Sequence, residues 1–454
     1  MRIWAVSGLG LMILTMGAGA CERRYIHLEC PPDALCKPDD RGTGGSSGAP
    51  ILASALVAGT AFSCANVANA LYCWGVAPAA LLGPIANDPG APARATPVES
   101  LSTTVAAGAG DTLCAIEGGH VSCWGSNETG QLGAAPTPGC SVGNCLGPRS
   151  IVPGTDGAWM LAVSGSHGCV VTTAEDVLCW GANDNGQLGH APGTGDQACA
   201  STDVVNCNPA ATPTGVVGAT TVAVGADADG AHGFGCAILD GGSVVCWGDN
   251  SKGQVSGAGY VVGATTDNAP HPVPAAITGL RASALSAGGL SICAVEASTG
   301  TVVCWGDGAA GQGATPAGVE ILDGGNAGSA VHLTQATSLA HGTMHTCAVS
   351  RGTVYCWGNN RSKQLGRDAE IAFDSPCVVD GQGDYCPVMA SPVAGLAGMV
   401  MVGAAGNHTC ALRNDGAIFC WGSNTFQESG HPLAAFGDLD PQRTPVRVQG
   451  LPGQ

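Results

Sequence analysis

The 23 cysteines and 11 histidines of this 454-residue sequence are its richest source of chemistry. Thiolates and imidazoles in such numbers point either to soft-metal sites or to a disulfide framework. Spacing separates the two. Zinc knuckles hold paired cysteines with two to four residues between them. Here seven pairs stand nine to eleven positions apart: Cys64 with Cys73, Cys114 with Cys123, Cys169 with Cys179, Cys236 with Cys246, Cys293 with Cys304, Cys347 with Cys356 and Cys410 with Cys420. Four more pairs lie outside them: Cys30 with Cys36, Cys140 with Cys145, Cys199 with Cys207 and Cys377 with Cys386. Only Cys140 and Cys145 have a knuckle-like gap. All eleven pairs are expected to be disulfides, and Cys21 is left over, as an odd thiol with a separate fate.

The other reactive side chains form no assembled centre. His167, His345 and His408 sit two residues before the first cysteine of a pair, where other pairs have Phe62, Thr112, Phe234 and Ser291. A position that recurs this way reads as packing or a turn hydrogen bond. His341 and His345 are four apart, but a zinc site built on that spacing needs a helix, and this segment reads as strand. Asp227-Ala-Asp229 and Asn183-Asp-Asn185 begin like calcium loops without the remaining oxygen ligands, so turn chemistry is expected. No nucleophile elbow, phosphate loop or His-Glu-x-x-His motif is present. No catalytic residue, metal or cofactor is therefore expected, and the chain is not expected to be an enzyme.

The amino terminus reads as an export signal. Arg2 precedes an apolar run from Ile3 to Met16, and Gly17-Ala18-Gly19-Ala20 supplies small residues before Cys21. The run is too short to cross a bilayer. A cysteine directly after the cut resembles the bacterial lipoprotein signal, which implies a lipid on Cys21. Glu22 after it resembles the sorting pattern of outer-membrane lipoproteins in Gram-negative bacteria. The expected organisation is a signal peptide over 1–20, a lipid-anchored flexible tether over 21–50, and one folded domain over 51–454. The expected location is the outer membrane or cell surface, with secretion or the periplasm as alternatives. A net charge of −18 repels phosphate backbones and excludes nucleic acid as a partner.

The cysteine pairs also define the elements that carry them. Gly118-Gly119 between Cys114 and Cys123 suits a two-residue hairpin turn, which needs positive φ, and Arg351-Gly352 does the same between Cys347 and Cys356. Each pair is then a cross-strand staple. The second cysteine is always followed by Trp-Gly, at Trp74, Trp124, Trp180, Trp247, Trp305, Trp357 and Trp421, at intervals of 50 to 67 residues. Such a period means propeller blades or solenoid turns. The 72 glycines and 27 prolines recur at fixed places, so they read as turns rather than low complexity. Pro-Val units at Pro97, Pro272, Pro392 and Pro445 read as edge strands opening a repeat. On that reading the last one, Arg443 to Leu451, completes the first blade and closes a ring.

After Trp-Gly come Ser126-Asn-Glu-Thr-Gly-Gln-Leu-Gly133, Ala182-Asn-Asp-Asn-Gly-Gln-Leu-Gly189 and Asn359-Asn-Arg-Ser-Lys-Gln-Leu-Gly366. With His-Thr-Cys-Ala at His345 and His408, these turns resemble the regulator-of-chromosome-condensation repeat family over residues 51–451. The resemblance implies an all-β, seven-bladed propeller. The Gly-Gln-Leu-Gly turn degrades to Leu81-Leu82-Gly83, Gln254-Val255 and Gln312-Gly313 elsewhere. No residue matches the working loops behind nucleotide exchange or chromatin binding in nuclear relatives. Exported bacterial relatives include secreted β-lactamase inhibitors, which implies protein binding through propeller-face loops. Inserts at 134–148, 190–210 and 367–390 follow the turn on one side of the repeat, and each carries its own cysteine pair. The expected function is a monomeric binding or scaffold module for an extracytoplasmic protein or glycan, touching the membrane only through its lipid. The alternatives are a purely structural envelope protein and, least favoured, an enzyme or exchange-like regulator.

Overall fold

The computed structural model describes residues 53–75, 95–102, 105–136, 146–199, 204–227, 230–256, 268–312, 333–368, 375–379, 382–387, 389–430 and 441–452. The expected signal peptide, the lipid acceptor Cys21 and the tether fall outside these residues. So do Cys30 and Cys36, expected to bridge each other, and Cys140 and Cys145, expected to do the same.

The fold is built outward from the cysteine hairpins. Cys114 lies opposite Cys123 in antiparallel register, and the turn between them holds Gly118 at φ 57° and Gly119 at φ 83°. That pair of positive φ values matches the right-handed twist of the flanking strands. Arg351-Gly352 turns the same way, at φ 51° and 77°. The glycine after each tryptophan has φ between 96° and 111°. At Gly181 a Cβ would stand 2.5 Å from the Ser166 carbonyl oxygen, so a side chain is excluded there on two counts.

The first sheet contains β1 (Ala53–Ala58), β2 (Phe62–Val67), β3 (Ala70–Gly75) and β4 (Thr96–Ser102), in that order. The second repeats the order with β5 (Val105–Ala109), β6 (Thr112–Glu117), β7 (His120–Ser126) and β8 (Leu146–Ile151). The third has β9 (Ala158–Val163), β10 (His167–Thr172), β11 (Val177–Ala182), β12 (Gln197–Ala198) and β13 (Asn206–Pro213), with β12 outermost. A six-stranded sheet follows. It comprises β14 (Ala219–Ala226), β15 (Gly233–Leu239), β16 (Ser243–Gly248), β17 (His271–Gly288), β18 (Ser291–Glu296) and β19 (Val302–Gly306). The sixth repeat has β20 (Ala336–His341), β21 (His345–Ser350) and β22 (Thr353–Gly358), then a separate insert hairpin, β23 (Ser375–Val379) with β24 (Gln382–Cys386), and edge strand β25 (Ser391–Pro392). The seventh has β26 (Met399–Ala405), β27 (His408–Arg413), β28 (Ile418–Gly422) and β29 (Gln442–Arg447).

The chain is an all-β propeller, with two corrections to the expected plan. Its described strands form six propeller sheets rather than seven separate blades. The reason is β17, which pairs with β16 through Arg281 and with β18 from Ala282 onward, so the fourth and fifth repeats share one sheet. The second correction concerns closure. The Thr-Pro-Val strands end repeats rather than open them: Thr96 and Pro97 pair with Cys73 and Tyr72. Likewise β29 pairs with β28 of its own repeat, so the first and seventh sheets share no strand. The outer edge suits proline, which has no N–H to give a further strand.

Closure comes from packing instead. First strands touch in succession, β1 to β5, β9, β14, β17, β20 and β26, and β26 returns to β1. Seven apolar clusters each straddle one boundary between repeats. In the cluster joining the seventh repeat to the first, Ala65, Val67 and Trp74 lie against Leu412, Ile418 and Val448.

Candidate functional site

The recurrent turn after Trp-Gly is a latch between neighbouring repeats. In the second repeat Gln131 Oε1 accepts the Thr129 N–H at 2.8 Å, and Asn127 Oδ1 accepts the Leu132 N–H at 3.1 Å. These bonds close the turn and aim the Gln131 carbonyl outward. Trp180 of the next repeat donates its Nε1–H to that carbonyl at 2.9 Å. The same bond joins Trp247 to Gln187, Trp305 to Gln254, Trp357 to Gln312 and Trp421 to Gln364, each at 2.9 Å. At the ring closure Trp74 donates to the Glu428 carbonyl at 3.0 Å. The turn expected to serve Trp124 lies outside the described residues.

Glu428 is therefore a carboxylate in a glutamine position. It is 1% exposed, and its Oε2 accepts the Phe426 N–H at 2.7 Å as the glutamines do. Burial raises its pKa, against a lowering by the Ser423 hydroxyl and backbone donors. A raised pKa means that the ionised form costs stability, so Glu428→Gln is expected to stabilise the protein at pH 7 by about 1 kcal/mol. The gain fades as pH falls and the native carboxyl is protonated. Chemical denaturation at pH 7 and in acid checks both statements.

The buried imidazoles occupy the boundaries too. His345 Nε2 lies 2.9 Å from Thr409 Oγ1 of the seventh repeat, and His408 Nε2 lies 2.7 Å from Ser63 Oγ of the first. His341 meets Ser291 of the fifth repeat and Thr346 of its own, at 2.7 and 2.8 Å. His167 instead bonds Ser164, within its own repeat, at 2.8 Å. Burial pushes the pKa down to about 4 for His167 and His408, and to about 3 for His341 and His345. All four are neutral at pH 7. A serine paired with histidine is the geometry of an activated nucleophile, but Ser63, Ser291, His345 and His408 are fully buried.

The structure brings the two cysteines of every repeat pair together. Cys64 faces Cys73, Cys114 faces Cys123, Cys169 faces Cys179 and Cys236 faces Cys246 across their hairpins. Cys293 faces Cys304, Cys347 faces Cys356 and Cys410 faces Cys420 in the same way. All seven pairs are bridged, with Cα–Cα separations of 4.0 to 4.2 Å. Among the insert pairs, Cys199 and Cys207 are bridged at 5.4 Å. Cys386 is bridged as well, while its β-partner across the insert hairpin is Ser375, not Cys377. Cys36 and Cys145 lie outside the described residues together with their expected partners. Disulfides at this density are those of an exported or extracellular protein.

The insert over 190–210 is tied to its repeat by the turn that precedes it. Asp184 accepts the N–H groups of Val205 and Asn206, both at 2.8 Å, and Asn206 Nδ2 at 2.7 Å. Asp196 accepts Asn183 Nδ2 at 2.7 Å and Gly193 N–H at 2.9 Å, and pairs with His190 at 3.0 Å. Asn183 and Asp184 thus serve turn and loop anchorage. Between these anchors Val205 stands 63% exposed. Asp227 bonds the His232 backbone and ring, another turn role. The three inserts leave from equivalent ends of their sheets, where Ser126, Ala182 and Asn359 N–H bond Asp111, Ser166 and Met344 carbonyls. All three inserts are described only in part, 190–210 without residues 200–203.

Comparisons with known proteins agree with this architecture. Models of the regulator of chromosome condensation (RCC1) repeat match residues 161–187, 230–254 and 402–428, and a second such model matches 351–412. The E3 ubiquitin-protein ligase HERC2 of Homo sapiens is 26% identical over 363 residues, covering 76% of this chain, which spans only 6% of that protein's length. The Ultraviolet-B receptor UVR8 of Arabidopsis thaliana is 26% identical over 76% of this chain and 69% of its own. Among solved structures, Prp20p from Saccharomyces cerevisiae, described with its binding to Gsp1p and histones, superposes with a TM-score of 0.62. It is 18% identical over 84% of this chain and 85% of that one. These matches support the RCC1 repeat family and an RCC1-like propeller.

Proposed function

We propose that this RCC1-type propeller is an exported binding module, anchored through a lipid on Cys21 and held off the membrane by residues 22–50. Working as a monomer, it presents its insert loops to an extracytoplasmic protein or glycan and catalyses nothing. The observation that carries this reading is the bracing of the 190–210 insert. Two aspartates and the Cys199–Cys207 bridge fix a loop that keeps Val205 exposed. A loop held in shape before binding loses less entropy on binding, and loops on one face of a repeat array commonly form its binding surface. The acidic surface, at −18 net charge, disfavours nucleic acid.

The test is affinity capture from envelope extract with the parent protein and a form shortened at 134–148, 190–210 and 367–390. A protein or glycan retained by the parent and lost by the shortened form is expected. Equal capture by both would remove the inserts from the function, and no specific capture by either would favour a purely structural role.

A further inference from the structure

The boundaries of the ring are not alike. Residue 113 at the first boundary is leucine, 168 and 235 at the second and third are glycines, and 292 at the fourth is isoleucine. The corresponding residues at the last three boundaries are Thr346, Thr409 and Ser63. Each hydroxyl donates to a latch carbonyl of the preceding repeat: Thr346 to Gln312 at 3.1 Å, Thr409 to Gln364 at 2.8 Å, Ser63 to Glu428 at 3.2 Å. Each also meets an imidazole. A hydroxyl has one proton to give, so Thr409 and Ser63 accept from His345 and His408. Both imidazoles therefore carry their proton on Nε2, and both Nδ1 atoms are buried without a hydrogen-bond partner.

We propose that the sixth and seventh repeats form an acid-releasable section of the ring, which parts at the seventh-to-first boundary when His345 and His408 take up a second proton. Protonation turns each bare Nδ1 into a buried N–H donor without an acceptor of its own and places a charge in a fully buried site, opposed at His345 only by the His408 backbone. The boundary that parts is also the one no chain crosses, because β29 stays with its own repeat and β4 with the first. Every other boundary is bridged by the polypeptide itself.

Neutral His345 and His408 stabilise the ring fully above the ordinary histidine pKa of 6.5, and that stability is lost as pH falls toward about 3 and about 4. His341 acts in the same sense. Glu428, the buried carboxyl at this boundary, acts in the opposite sense because its pKa is raised. Cys347 and Cys410, beside Thr409 and Ser63, are bridged and do not titrate. His167 is equally buried, with a bare Nε2 and the Phe234 backbone of the next repeat beside it, but its hydroxyl partner lies within its own repeat and its boundary is spanned by the chain.

The test is amide hydrogen exchange on the full protein at pH 7 and about pH 4.5, corrected for intrinsic exchange rates. Protection of β2 and β27, which hold the two ends of the His408 contact and the Thr409 partner of His345, is expected to fall by at least ~10-fold more than that of β6. In His345→Gln/His408→Gln, whose amides donate without titrating, that excess loss is expected to disappear. In His167→Phe, which installs the residue found at positions 62 and 234, it is expected to remain. Uniform loss across all repeats, or an excess loss that survives in the glutamine variant, would overturn the proposal. If that variant does not fold, the exchange pattern of the native protein decides alone.

Discussion

Trp180→Ala is expected to lower the unfolding free energy by about 3–5 kcal/mol, the cost of removing a large buried aromatic. Trp180 is fully buried in the cluster that joins the second and third repeats, so the loss falls on a boundary rather than within one blade. Trp180→Phe separates packing from the latch. It removes the indole N–H and leaves the Gln131 carbonyl without the donor it has at 2.9 Å, for an expected cost of about 1–3 kcal/mol. Trp421→Phe is expected to cost less, because Thr409 also donates to the Gln364 carbonyl. Denaturant titration of the four proteins measures these differences. Equal costs for the two phenylalanine variants would mean that the latch contributes through packing alone.

The latch also shows which parts of the structure were legible in the sequence. Hairpin register was readable because turn and disulfide geometry are local: Cys114 must face Cys123 once Gly118-Gly119 turns the chain. The same holds where the turn is longer, since Cys293 still faces Cys304 and Cys410 still faces Cys420. The repeated tryptophan was visible, but its partner was not. The acceptor is a backbone carbonyl 45 to 60 residues earlier, and carbonyls carry no sequence mark. The glutamine that positions it bonds only its own turn through its side-chain oxygen, so it reads as turn chemistry. The phase of the repeat is hidden for a related reason. A periodic sequence does not state where its unit begins, and only the pairing of Thr96 with Cys73 shows the Pro-Val strand to be an ending. Gly279, at φ 82°, suggests a break in the chain, yet β17 passes through it and joins two repeats. The boundary hydroxyls were a missed signal: Ser63, Thr346 and Thr409 stand directly before the first repeat cysteine, adjacent to the histidine position.

Full reduction of the disulfides is expected to prevent folding altogether, whereas reductant applied to the native protein is expected to open one described bridge well before the others. The two results follow from burial and loop length. The 14 repeat cysteines are all fully buried, so attack by an external thiolate requires local or global opening first. Cys199 is the partly exposed one among the bridged cysteines with described burial, in an insert outside the propeller core. Mild reductant without denaturant, followed by alkylation and peptide mapping, should therefore label Cys199 and Cys207 while circular dichroism stays native. In denaturant the repeat pairs become reducible. Each closes a loop of 9 to 11 residues, for about 2–3 kcal/mol apiece in the chain-entropy model. Seven such local loops together match or exceed the roughly 5–15 kcal/mol of net stability of an ordinary domain. Some inner strands are short and rich in alanine and glycine, as in Val105-Ala-Ala-Gly-Ala109, and add little apolar side chain of their own. A fully reduced chain that recovers native circular dichroism on dilution would show that packing and latches hold the ring without covalent help. Early labelling of Cys347 or Cys410 would instead place the weakest point of the ring in the repeat hairpins themselves.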